Sequence, residues 1–292
     1  MGAETLSNDL LSHIKQQYGG FSKGQKRIAD YVLAHYDKAA FMTAAKLGNV
    51  TGVSESTVVR FATELGYDGY PGLQRALQEM IRNKLTSIQR MDIAGERIGA
   101  EEVLDKVLAL DIEKIRQTLE ETSRDDFRQA ALAIAEAKNI YIIASGSASA
   151  VAKLLHYYFS LMFGNVHFID GASTSAMFQQ IMRIDQHDVM IGLSFPRYSK
   201  HTSRAFDYAS DCGAKIIAIT DAQSSPLVKK ANYTLLARSE MASFVDSLVA
   251  PLSLVNALIV AVGIHCREQV ADVFQKLEYI WDEYDIYEKS DN

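Results

Sequence analysis

From Phe21 to about Leu85 the apolar residues recur at intervals of three and four: Ile28, Tyr31 and Val32, then Leu47 and Val50, then Val58, Phe61 and Leu65. That period turns one face of a helix toward a core, so the front of the chain is predicted as short α-helices. Between about Lys84 and Arg128 the period continues through Val103, Val107, Leu110, Ile115 and Leu119, in a more charged background broken by Gly95 and Gly99. This predicts a helical linker. From Ala137 the pattern changes. Asn139–Ala144, Val166–Ile169, Asp188–Leu193, Lys215–Thr220 and Tyr233–Leu236 are short apolar, β-branched runs, and helical stretches at Ala150–Phe163, Ser175–Met182, His201–Cys212 and Ser225–Lys230 lie between them. Alternation of this kind predicts a three-layer αβα domain around a parallel five-stranded sheet. A final helical part runs from Leu248 to about Tyr287. The expected division is an α-helical domain at 1–85, a helical linker at 86–125, and the α/β domain with its C-terminal helices at 126–292.

The 292 residues are 48% hydrophobic, 23% charged and carry only 4 Pro, a composition that supports folded cores and excludes a disordered or collagen-like chain. Cys212 and Cys266 are far apart, with no second cysteine or histidine at ligand spacing, so neither a disulfide framework nor a metal or cofactor site is expected. The opening MGAETLSNDLL lacks a basic region followed by an apolar one, and the longest apolar runs are too short to span a bilayer. A cytoplasmic protein without membrane contact is expected.

The stretch TAAKLGNVTGVSESTVVRFATELG, residues 43 to 66, has the marks of two helices crossing at a tight turn. Thr43 suits the cap of the first helix, Gly48 a close crossing, and Gly52 a turn with positive φ. Ser54 suits the cap of the second helix, Glu55 the positive end of its dipole, and Gly66 its end. In a DNA-binding helix–turn–helix the first turns of the second helix offer Ser54, Glu55, Ser56, Thr57 and Arg60 to the major groove. Arg60 is the candidate for a base edge, and Lys23, Lys26, Arg27 and Lys46 are candidates for phosphates. A hairpin used only for packing is the alternative.

The net charge of −6 argues at first against nucleic acid. It is unevenly spread. Phe21–Arg90 carries ten basic residues against six acidic ones, whereas Arg267–Asn292 carries three against eight. A mildly basic front is therefore averaged with an acidic tail.

In the second half the first strand runs into Ser145, Gly146, Ser147, Ala148 and Ser149 and then a helix, and the third strand runs into Ser194-Phe195-Pro196-Arg197-Tyr198-Ser199. Small hydroxyl-rich loops at the carboxyl ends of parallel strands suit an anion held at a helix N-terminus. Arg197 offers a bidentate phosphate ligand, or else pairs with a carboxylate such as Asp221.

FSKGQKRIADYVL and VSESTVVRFATELGYDGYPGLQRAL make most of residues 5 to 85 resemble the helix–turn–helix domain of the RpiR family of bacterial transcriptional regulators. Residues 126 to 240 resemble the sugar isomerase (SIS) domain joined to it in that family, through the strand–serine loop–helix, DVMIGLS, DCGAKIIAITD, SSPLVKKANYTLLA and Glu240. The common SIS pattern S-x-S-G-x-T keeps its ends here as Ser194 and Ser199, while Pro196 and Arg197 replace the inner Ser-Gly. In the first loop the usual serine falls on Ala148, with Ser147 one residue earlier.

The resemblance implies a regulator of carbohydrate metabolism that binds double-stranded DNA at a near-palindromic operator as a homodimer or homotetramer. It implies sensing of a phosphosugar effector through Ser145, Gly146, Ser147, Ser149, Ser194, Arg197, Ser199 and Glu240. Catalysis is not expected. The alternative, a sugar-phosphate isomerase with a helical appendage, would rely on Glu240 and His201 as proton-transfer groups.

Overall fold

The structure is a computed structural model that describes residues 10–81, 88, 91, 102–170, 173–239 and 246–287, in two compact units. The first unit is helical: α1 (Leu10–Gln17), α2 (Lys23–Ala34), α3 (Tyr36–Ala39), α4 (Ala44–Thr51), α5 (Glu55–Glu64) and α6 (Gly69–Ile81). Their apolar faces meet in one core of Leu10, Ile14, Phe21, Ile28, Val32, Leu47, Val58, Phe61, Leu73, Leu77 and Ile81. Val50 departs from the sequence expectation, since it lies on the outer face of α4 and is half exposed. A capping box opens α2: the Ser22 hydroxyl accepts from the Gln25 amide, and the Gln25 side chain accepts from the Ser22 amide. From α6, Tyr70 donates to the Met42 carbonyl at 2.8 Å and Gln78 to the Ala40 carbonyl at 2.9 Å, which fixes the segment between α3 and α4.

The second unit has the sheet order β2-β1-β3-β4-β5, all parallel. The strands are β1 (Ile140–Ala144), β2 (Val166–Ile169), β3 (Val189–Leu193), β4 (Lys215–Thr220) and β5 (Tyr233–Leu236). Its helices are α7 (Val103–Glu121), α8 (Arg124–Ala135), α9 (Ala148–Met162), α10 (Thr174–Ile181), α11 (Lys200–Asp211), α12 (Val249–His265) and α13 (Arg267–Glu283). Alternate strand residues feed two cores. Ile140, Ile142, Ile191, Ile217 and Ile219 pack under α8, α9 and α12, while Tyr141, Ile143, Met190, Ile216 and Ala218 pack under α10 and α11. Apolar side chains on both faces explain why the strands read as continuous hydrophobic runs. Residues 225–230 form a 3-10 turn over Pro226–Lys230 instead of an α-helix, with Pro226 at its first position.

The outer edge of β5 is closed by side chains. Asp126 accepts from the Thr234 amide at 3.1 Å, Thr122 donates to the Leu236 carbonyl at 2.7 Å, and Thr118 accepts from the Arg238 amide at 2.9 Å. Glu121 holds the Arg238 guanidinium at 2.6 Å. Helix α7, in the stretch the sequence assigns to a linker, is thus bound to the second unit by polar contacts.

Candidate functional site

In the first unit, α4 and α5 form the helix–turn–helix. Thr43 caps α4 by accepting from the Lys46 amide at 3.2 Å. Gly52 closes α4 with φ 66°, and the Val53 amide returns to the Gly48 carbonyl at 2.9 Å. A β-carbon on Gly48 would lie 2.8 Å from the Val53 carbonyl oxygen, so the crossing requires glycine. At the far end of α5 the Gly66 amide bonds to Thr63 and the Tyr67 amide to Ala62, a Schellman stop.

Ser54 stands at the cap position of α5, but its hydroxyl makes no bond to a backbone amide of the helix. It lies 2.9 Å from the hydroxyls of both Ser56 and Thr57. The first amides of α5 therefore keep their positive field toward solvent, beside an exposed Ser54, Glu55 and Ser56. Arg60 is exposed one turn on, with Nε donating to the Ser56 carbonyl at 3.3 Å.

The basic residues take different places. A β-carbon on Gly24 would touch Thr57 at 3.4 Å, so the first turn of α2 lies against the start of α5, and Lys23 in that turn is exposed. Lys26 lies with its ammonium 5.6 Å from the centre of the Tyr18 ring. Lys46 is exposed in the first turn of α4. Arg27 donates from Nη2 to the Gly52 carbonyl at 2.8 Å, so its guanidinium pins α2 to the turn and complements the negative end of α4.

In the second unit the strand order reverses between β1 and β3, and the loops after those strands open at that point. Ser199 joins them. Its hydroxyl caps α11 by accepting from the Thr202 amide at 3.3 Å and donates to the Ser145 hydroxyl at 3.0 Å. Ser194, buried behind, accepts from the Ser199 amide at 3.0 Å. Both the Ser145 and Ser194 hydroxyls keep a proton to donate. Gly146 takes φ 63°, and Ser147 and Ser149 follow at the N-terminus of the 15-residue α9. Arg197 is exposed in the left-handed region at φ 65°, where SIS domains commonly place glycine.

A polar cluster holds this loop from below. Tyr198 donates to the Asp221 carboxylate at 2.9 Å, and Thr220 donates to the Ser194 carbonyl at 2.7 Å while lying 2.8 Å from the Ser225 hydroxyl. Tyr198 and Ser225 escape the sequence analysis. Applying to the end of β4 the positional rule used for β1 and β3 would have found Thr220 and Asp221 as part of the same edge. His201 lies with Nδ1 3.5 Å from the Thr174 hydroxyl. Glu240 lies outside the described residues.

A helix–turn–helix unit joined to a doubly wound sheet with a polar loop at its switch point defines a DNA-binding regulator with a ligand-binding type of second unit. The model of the rpiR-family helix-turn-helix domain matches residues 8–84, and that of the SIS domain matches residues 133–261. The chain belongs to the RpiR family of HTH-type transcriptional regulators. The regulator YfhH of Escherichia coli (strain K12) is 26% identical over 80% of this chain and 82% of its own length. The sugar isomerase domain of the RpiR transcription factor from Sphaerobacter thermophilus is 26% identical, covering 61% of this chain and 99% of that one with a TM-score of 0.57. The Vibrio vulnificus NanR protein, solved with ManNAc-6P, shares the fold over 94% of this chain and 98% of its own, at 21% identity and a TM-score of 0.55.

Proposed function

We propose that this regulator acts on genes of carbohydrate metabolism by sensing a phosphosugar in its second unit and changing the affinity of its first unit for DNA. The observation that carries the reading is the convergence of Ser145, Ser194 and Ser199 at the sheet's switch point, next to the N-terminus of α9, with Arg197 in the loop between Ser194 and Ser199. Hydroxyl protons, helix amides and a permanent cation on one edge suit a phosphate dianion. In the first unit, Ser54, Glu55, Ser56, Thr57 and Arg60 face the major groove, with Lys23, Lys26 and Lys46 toward phosphates. Arg27 supports the turn. The protein works in the cytoplasm as a homodimer or tetramer on a near-palindromic operator, because two-fold related recognition helices read two-fold related half-sites. Effector binding matters only so far as it favours one arrangement of subunits over another. The protein is a sensor and turns over no sugar.

Two measurements test this. Calorimetric titration with a panel of hexose and N-acetylhexosamine 6-phosphates, ManNAc-6-phosphate included, is expected to find a ligand whose binding Arg197→Ala weakens. Selection of bound genomic fragments is expected to yield a site whose footprint Arg60→Ala loses. Turnover of a phosphosugar by the purified protein, with no salt-dependent DNA affinity, would point to the isomerase instead.

A further inference from the structure

Helix α7 buries three polar residues and leaves a row of large aliphatic ones exposed. Its buried residues are polar: Asp111, Lys114 and Thr118 face inward, with Asp111 accepting from the Ser247 hydroxyl at 2.6 Å and Lys114 3.7 Å from Asp111. Most of its large aliphatic residues point outward, Val107 and Leu110 being half-buried. Leu104, Leu108, Ile112, Ile115 and Leu119 are between 37% and 70% exposed. At 3.6 residues per turn these five side chains fall within an arc of about 80°, one continuous stripe along the helix. A helix that buries Asp111, Lys114 and Thr118 while a continuous aliphatic stripe stays exposed offers that stripe to a partner outside its own unit.

We infer that this stripe is the contact between two copies of the chain, with the two α7 helices packed antiparallel about a two-fold axis near Ile112. The spacing supports this occupant. Positions 108, 112, 115 and 119 step by four, three and four, the spacing of a coiled-coil seam, and reversing the direction sets Leu104 against Leu119 and Leu108 against Ile115. Charge selects the direction. Asp105 and Arg116 lie on the same flank of the stripe, about 20° apart around the helix. Antiparallel pairing keeps this flank on the same side of the seam in both copies and brings Asp105 of one copy within a turn of the partner's Arg116, whereas parallel pairing puts the two flanks on opposite sides of the seam and brings no such opposite charges together. Arg116 is already held by Glu113 and Glu120 on its own helix, so this rim contact sets orientation more than strength. The inference rests on the two-copy assembly proposed above and adds the surface that makes it.

The test uses the full chain. Sedimentation equilibrium is expected to show a dimer for the unaltered protein, weakened about 100-fold or more by Ile112→Glu, which places a charge at the centre of the contact. A monomeric unaltered protein overturns both the assembly and the surface. A dimer that survives Ile112→Glu overturns the surface alone. Oxidative cross-linking of cysteine variants in a Cys212→Ser background does not depend on Ile112→Glu folding. Ile112→Cys is expected to give a covalent dimer and Leu119→Cys none, because antiparallel helices separate the two Leu119 positions by roughly 20 Å. Cross-linking through Leu119→Cys would mean parallel packing. Cross-linking through neither would mean that the stripe meets another partner, such as the helical unit, and would overturn the inference.

Discussion

The Ser199 hydroxyl donates to the Ser145 hydroxyl at 3.0 Å and accepts from the Thr202 amide at 3.3 Å, so one side chain both starts α11 and ties the loop after β3 to the loop after β1. The two tasks separate by mutation. Ser199→Ala is expected to lose a helix cap, about 1 kcal/mol, and to lower Tm by a few degrees. Ser145→Ala is expected to leave Tm nearly unchanged. Both variants are expected to weaken the binding of a stabilising phosphosugar about tenfold, measured by calorimetry. Wild-type affinity in Ser145→Ala would remove the hydroxyls from the site.

Arg197 sits at φ 65°, which costs a residue with a side chain about 1 kcal/mol. Arg197→Gly is therefore expected to raise the unfolding free energy of the second unit by about that amount while lowering anion affinity at least tenfold. Denaturant titration and ligand titration on one protein sample would measure both. A variant that loses stability as well would show that the guanidinium's own contacts outweigh the backbone strain.

The helix crossing at Gly48 leaves no room for a methyl group, because the obstacle is the Val53 carbonyl and not a movable side chain. Gly48→Ala is expected to destabilise the first unit by about 2 kcal/mol and to weaken DNA binding with it. Gly24→Ala serves as control, since its β-carbon would meet Thr57 and Val53 at 3.4 and 3.5 Å, ordinary contact. Circular dichroism melts of the two variants should differ accordingly.

Burial pushes the Tyr70 phenol up to about 12 from its usual 10, where its proton is given to the Met42 carbonyl. The folded state holds that proton more tightly than the unfolded chain. Its contribution is accordingly complete below pH 10 and is lost as the pH rises toward 12, about 2 kcal/mol in all. Tyr70→Phe is expected to be less stable at pH 8 and to show a flatter decline between pH 10 and 12. An unchanged alkaline slope would assign the decline to other groups.

The strands were plain in the sequence because β1, β3 and β4 are buried on both faces and so read as apolar runs, and the half-buried edge strands β2 and β5 are still mostly apolar; Val166–Ile169, Lys215–Thr220 and Tyr233–Leu236 fall where expected. The helix–turn–helix was plain because its glycines and caps are local requirements. Other features were hidden because they depend on partners distant in sequence. Arg27 looks like any surface cation until the turn carbonyl 25 residues on is placed beside it. Thr118 and Thr122 look like solvated helix positions until the edge of β5 arrives more than 110 residues later. Ser54 shows a limit of motif logic, since the cap residue is present at its position and its hydroxyl bonds to other hydroxyls.

The closure of β5 by Asp126, Thr122 and Thr118 sets where the sensing unit can be cut from the rest. A fragment beginning at residue 126 would keep every strand and most helices, yet would expose the Leu236 carbonyl and the Arg238 amide as a bare template for strand addition. Such a fragment should gather into aggregates, whereas one beginning ahead of Val103 should stay dispersed. Helix α7 thus serves the sheet as a selvedge, the finished border that keeps a woven edge from catching on the next piece of cloth.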